Sequence, residues 1–214
     1  MLHGLFFERS DTKRVFLVSE GKGGNIYHRL NQPRVLIPCG GSVLQYDYEG
    51  YGQSDGRPSL DGVCDDLTGA YDFLVQHEHR SPRDVIAFGD SFGTGPTGQL
   101  VLRRRVGAVV LQSGFSSLLR ASRDRLPWLR LYPDALFPRQ AMDNIAVFSK
   151  PHPPLLIVHG TKDDMLSFSN AEDLYKAAIE PKQMFVIEGE GHGAFGKFAD
   201  FRDTLATFLK KYQL

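Results

Sequence analysis

Apolar side chains along this chain come in two spacings. Short unbroken runs, Arg14-Val-Phe-Leu-Val18, Ser42-Val-Leu-Gln-Tyr46, Asp84-Val-Ile-Ala-Phe88, Val106-Gly-Ala-Val-Val-Leu111, Pro154-Leu-Leu-Ile-Val158 and Gln183-Met-Phe-Val-Ile187, are rich in β-branched and aromatic residues. Runs this short, apolar on both faces, predict buried strands. Between them, residues 61–76, 96–105, 170–179 and 198–212 carry apolar positions at helical spacing, with Phe201, Leu205, Phe208 and Leu209 marking one face of the last segment. Alternating strands and helices predict an α/β fold, a mostly parallel twisted sheet with helices on both faces. In such sheets ligands gather at the carboxyl ends of the strands, which is where chemistry is to be sought.

Composition narrows this picture. A chain of 214 residues with 42% hydrophobic and 23% charged residues is long enough for one domain with a substantial core, so 1–214 reads as a single domain. Twenty-five basic and twenty-five acidic residues give a formal charge of zero, which argues against electrostatic binding to nucleic acid. The two cysteines, Cys39 and Cys64, form neither a disulfide framework nor a metal-site spacing, so a reducing, cytoplasmic setting is expected. The first residues lack the pattern of a signal peptide, and no run of about 18 apolar residues occurs, so a membrane anchor would lie outside this sequence.

The chemistry concentrates in Gly89-Asp90-Ser91-Phe92-Gly93, a G-x-S-x-G pentapeptide directly after a predicted strand and before a helix. A tight strand-to-helix turn exposes the serine hydroxyl, and glycines remove side chains that would clash there. A serine needs a base to take its proton. Of seven histidines, His192 follows the strand ending at Ile187, in the glycine-rich stretch Glu188-Gly-Glu-Gly-His-Gly-Ala-Phe195. His159, at the end of its strand, reads as structural. An acid to orient the base is offered by Thr161-Lys-Asp-Asp-Met165, where H-G-T-x-D selects Asp163 and leaves Asp164 as a solvated or capping neighbour. Ser, Asp, His is the chain order of an α/β-hydrolase.

Two further stretches resemble that superfamily's serine-hydrolase branch, which includes protein depalmitoylases and small bacterial esterases. Residues 15–30, Val-Phe-Leu-Val-Ser-Glu-Gly-Lys-Gly-Gly-Asn-Ile-Tyr-His-Arg-Leu, are similar to V-L-F-x-H-G-N-A-G-N-I-S-H-R-L. Residues 47–59, Asp-Tyr-Glu-Gly-Tyr-Gly-Gln-Ser-Asp-Gly-Arg-Pro-Ser, are similar to D-Y-R-G-Y-G-x-S-x-G-x-P-S. With the elbow, acid and base motifs, five motifs stand in the family's order. The resemblance implies a catalytic Ser91, Asp163 and His192, and a strand ending near Ser19 beside the one ending near Gly89. It also implies an oxyanion hole formed by the backbone N–H groups of Phe92 and Lys22, a small helical cap after the sixth strand of the family's fold, and acyl transfer to water without metal or cofactor.

Three departures bring acids toward this face: Glu20 for the family's His, Glu49 for its Arg, and Asp90 before the nucleophile. Glu20 and Asp90 are expected to modulate activity, because carboxylates sharing a dry site raise one another's pKa and oppose an oxyanion. The alternative is that Glu20 pairs with Lys22 or a nearby Arg and shapes the loop. Residues 113–153 form the cap-like insertion, in which Phe115, Trp128 and Tyr132 are expected to frame a pocket for an apolar acyl group. The expected substrate is a small-molecule or lipid-like acyl ester, cleaved by a carboxylesterase or thioesterase activity. A catalytically weak or inactive binding protein on the same fold stays open, with a peptidase or lactone hydrolase behind it.

Overall fold

The computed structural model describes residues 1–137, 142–196 and 198–214. Part of the expected cap-like insertion, residues 138–141, lies outside them. Seven strands form one sheet: β1 (Gly4–Phe7), β2 (Val15–Ser19), β3 (Ser42–Tyr46), β4 (Val85–Asp90), β5 (Ala108–Gln112), β6 (Leu155–Gly160) and β7 (Lys182–Ile187). Their spatial order is β1-β3-β2-β4-β5-β6-β7, parallel throughout except for β1, which runs antiparallel along β3. β1 is the strand that the apolar pattern does not single out: it is four residues long, half-buried, and lies at an edge. The helices are α1 (Asn31–Leu36), α2 (Leu60–Gln76), α3 (Thr94–Arg103), α4 (Leu118–Arg125), α5 (Asn144–Phe148), α6 (Ser169–Ala177) and α7 (Phe198–Lys211). Among the described residues no helix is long and apolar enough to cross a membrane.

Period-two alternation splits each strand between two cores. Val15 and Leu17 face Leu67, Leu74, Leu100 and Phe148 from α2, α3 and α5, while Phe16 and Val18 face Leu36 of α1 and Phe201, Leu205 and Phe208 of α7. Every one of these is essentially inaccessible to water. That explains why the strands read as unbroken apolar runs: both faces are covered, so no polar position is required. Ser59 starts α2 by accepting a hydrogen bond from the Gly62 N–H, leaving the loop 47–59 folded back over the strand ends.

The insertion after β5, the fifth strand of this sheet, is not uniform. α5 is part of the body, with Asn144 and Phe148 fully buried and Asn144 Nδ2 donating to the Phe115 carbonyl at 3.0 Å. By contrast, α4 buries no residue, and the turns after it, Pro127–Leu131 and Asp134–Leu136, bury none either.

Candidate active site

Parallel register aligns the elements of the site. Ser19 pairs with Gly89, Asp90 with Gln112 and Gly160 with Ile187, so the loops after β2, β4, β5, β6 and β7 leave the sheet at one edge. After β4 the chain turns within one residue: Ser91 adopts φ 52°, a left-handed conformation that costs a non-glycine residue energy. Its neighbours make room. A Cβ on Gly93 would stand 1.9 Å from the Ser19 carbonyl oxygen, and one on Gly89 would stand 2.7 Å from Thr97 Oγ1. Thr94 Oγ1 donates to the Ser91 carbonyl at 2.6 Å and fixes the turn at the head of α3.

Three side chains from three loops form one hydrogen-bonded row. His192 Nε2 lies 2.8 Å from Ser91 Oγ, and His192 Nδ1 lies 2.8 Å from Asp163 Oδ2. Asp163 is saturated with donors. Its Oδ1 accepts from the backbone N–H groups of Met165 at 3.0 Å and Leu166 at 2.8 Å, and His159 Nε2 is 3.2 Å from Oδ2. Burial works to raise this carboxyl, but the hydrogen bonds from His159, His192 and Leu166 outweigh it and hold Asp163 well below the usual carboxylate range. An ionised Asp163 assigns the proton of His192 to Nδ1, which frees Nε2 to accept the hydroxyl proton of Ser91. Burial acts to lower the His192 pKa; the Asp163 hydrogen bond and charge, with Asp90 behind them, overcome that and leave it raised.

The His192 loop is tied to β5. Gln112 Nε2 donates to the carbonyls of Gly193 at 3.2 Å and Ala194 at 2.8 Å, and the Gly193 N–H donates to Ser113 Oγ at 2.9 Å. Sequence reasoning missed both residues, although a glutamine ending an apolar strand was the available signal. Ser113, like Ser91, is left-handed, with φ 45°. His159, by contrast, sits where a structural histidine was expected: Nε2 donates to the Leu166 carbonyl at 2.8 Å while leaning on Asp163.

On the other side of Ser91 lies a second buried group. The Arg29 guanidinium donates to the carbonyls of Lys22 at 3.2 Å and Gly23 at 3.3 Å and stands 3.6 Å from Asp90 Oδ2. Sequence reasoning gave this arginine no role of its own, though it falls inside the quoted motif as the Arg of H-R-L. Glu20 is not paired with Lys22; its Oε1 accepts from Gln45 Nε2, while its Oε2 and Asp90 Oδ1 are buried without a partner among the described residues. Burial, then the charge of Asp90, pushes the Glu20 carboxyl up from 4.5 to about 8. Burial likewise raises Asp90 despite Arg29. Glu49 lies apart from this pair, against Gly56 and Gly62 at the start of α2.

A cavity of about 300 Å³ opens on Ser91 and is lined by the expected Lys22, Phe92 and Phe115, with Leu118 and Ala121 from α4 and Leu166 beyond Asp163. Phe92 stands in the first turn of a helical run, where backbone N–H groups have no intrahelical acceptor, and the Lys22 N–H has no acceptor among the described residues. Trp128 and Tyr132 require a correction. They are 55% and 48% exposed, pack edge-on against each other at 6.2 Å between ring centroids, and do not line the cavity. Both follow α4 on turns that bury nothing, so their rings find each other rather than the site. No group of three or more metal-ligating side chains occurs among the described residues.

The sequence profile of the prolyl oligopeptidase family matches residues 56–213. An uncharacterized protein of Mycobacterium tuberculosis is 35% identical over 176 residues, covering 82% of this chain and 62% of that protein. Human alpha/beta hydrolase domain-containing protein 17C is 31% identical over 170 residues, covering 78% of this chain and 49% of that protein. The chain thus spans roughly half to three-fifths of the length of these relatives. Among solved structures, an esterase of Pyrococcus furiosus superposes with a TM-score of 0.78 over 98% of this chain and 87% of its own, at 16% identity, a likeness of fold.

Proposed function

Since the chain belongs to the prolyl oligopeptidase family, within the α/β-hydrolase superfamily of serine hydrolases, we propose that it cleaves carboxylic esters or thioesters through an acyl-enzyme on Ser91. The observation that carries this reading is the row Asp163, His192, Ser91 opening on an apolar cavity. Ser91 Oγ attacks the acyl carbonyl while His192 Nε2 takes its proton; His192 then returns that proton to the leaving alcohol or thiol. Water repeats the sequence on the acyl-enzyme and releases the acid. Asp163 holds the imidazole in the Nδ1–H tautomer and stabilises the imidazolium. The N–H groups of Phe92 and Lys22 face the oxygen on which charge develops, and each such donor contributes about 3 kcal/mol in the transition state.

Lining by Phe92, Phe115, Leu118 and Leu166 supports an apolar acyl group, and a volume of about 300 Å³ under α4 suits a short acyl chain better than an extended peptide. Residues 1–214 act in this reading as one hydrolase domain, with α4 and the turns after it as its cap. The reading of the fold as a binding module draws on the orphaned Glu20 and Asp90 oxygens. Covalent labelling by a fluorophosphonate, located by peptide mass, separates the two. Labelling of Ser91 that disappears in Ser91→Ala and His192→Ala is expected; a folded wild-type chain that resists the reagent sinks the hydrolase reading.

A further inference from the structure

The arginines on and after α4 differ in their partners. Arg120 reaches Asp124 and Asp173, Arg123 reaches Asp134, and Arg130 reaches Asp124. Arg125 has no carboxylate partner among the described residues, and it faces the cavity that opens on Ser91. Its position follows from helix geometry. Leu118, Ala121, Ser122 and Arg125 recur at i, i+3, i+4 and i+7, so they form the one face of α4 that roofs the cavity. Arg120, Arg123 and Asp124 occupy the remaining faces and their ion pairs there. A stripe that starts apolar therefore ends in a cation, about 10 Å along the helix axis from where it began.

Among the described residues no carboxylate lines this cavity, while Lys22 adds a second cationic residue to its wall. We propose, building on the ester-hydrolase reading, that the acyl group lodged under α4 is an apolar chain carrying a carboxylate at its far end, which Arg125 receives. The guanidinium fork matches a carboxylate with two parallel hydrogen bonds. An uncharged chain leaves the exposed Arg125 hydrated at little cost, so neutral esters bind in the same place less tightly. The reaction is hydrolysis of a half-ester of a dicarboxylic acid: water adds, one of its protons leaves with the alcohol, the other is released to solvent as the new acid ionises, and a dicarboxylate remains.

The test compares three esters on the full chain: the para-nitrophenyl half-ester of adipic acid, para-nitrophenyl hexanoate, and a hexanoate ester of a carboxylated nitrophenol. Wild type is expected to prefer the adipate half-ester over the hexanoate by about tenfold in kcat/KM. Arg125→Gln removes that preference, Arg125→Lys retains part of it, and Arg125→Glu reverses it. Equal rates in wild type, a preference that survives Arg125→Gln, or a preference for the anion on the alcohol side each overturn the proposal. Calorimetric binding of monomethyl adipate to Ser91→Ala, set against methyl hexanoate, reads the site without turnover; binding that needs the carboxylate and weakens with salt supports it. Cleavage without selectivity overturns the anion site alone. Selective binding with no ester cleaved overturns the hydrolase reading and leaves the anion site standing.

Discussion

Two carboxylate environments flank Ser91, and their acidities are shifted in opposite directions. On one side, buried Asp163 collects four donors and stays ionised far into the acid range. On the other, buried Glu20 and Asp90 share one arginine and one glutamine, each keeps an orphaned oxygen, and both are pushed upward. Burial costs a carboxylate the same kind of free energy in both places; the number of donors decides whether that cost is offset. The site thereby gains a firm negative charge behind His192, while on the side of the Lys22 loop Glu20 is pushed toward about 8 and Asp90 leans on Arg29.

The largest effect is expected from removing the charge on the saturated side. Asp163→Asn permits the wrong tautomer of His192, and kcat on a short ester falls about 10⁴-fold. A loss under tenfold would break the comparison, because Asp163 would then not be what orients the base. Next comes Arg29→Ala on the sparse side, which leaves Asp90 without a counter-charge and frees the loop carbonyls of Lys22 and Gly23. With the Arg29 side chain 29% exposed, the cost falls below that of a fully buried pair, to about 2 kcal/mol in urea unfolding. Adding Asp90→Asn should recover most of it; no recovery would mean that the loop contacts, not the charge, carry the effect.

Glu20→Gln sharpens the contrast through pH. The folded chain holds a proton on Glu20 that the unfolded chain releases, so the stability this group contributes is complete below pH 4.5 and is lost as pH rises toward about 8. The urea midpoint of wild type should fall across that window relative to Glu20→Gln, and the alkaline limb of the activity profile should flatten in the variant. Identical profiles would show that Glu20 is uncharged in its effect on the site. The acid limb, set by His192 with its raised pKa, should be common to both proteins. The smallest effect is expected from Ser113→Ala, which strands the Gly193 N–H at a cost of about 1 kcal/mol. A few-fold loss in kcat with KM unchanged would place Ser113 as a positioning residue for the base.

Most of the sheet was legible because both its faces are covered, which turns each parallel strand into an apolar run. β1 escaped because an edge strand of four half-buried residues has no such requirement. Ser91, Asp163 and His192 were legible as candidates because turn chemistry and chain order constrain them locally. Arg29, Gln112 and Ser113 were not, since each meets a partner distant in sequence, Arg29 meeting Asp90 and the other two holding Gly193 and Ala194. Trp128 and Tyr132 show the converse: large aromatic side chains signal burial, yet outside a packed layer they only pair with each other.

The pairing of Asp90 with Gln112 sets the two left-handed serines, Ser91 and Ser113, side by side at the ends of β4 and β5. Because strand side chains alternate, a slip of β5 by one residue would turn Gln112 and Ser113 away from the loop they hold, while leaving secondary structure nearly intact. Reactivity at Ser91 is therefore a clock for strand registration during refolding, and it should start only after the helical signal has already returned.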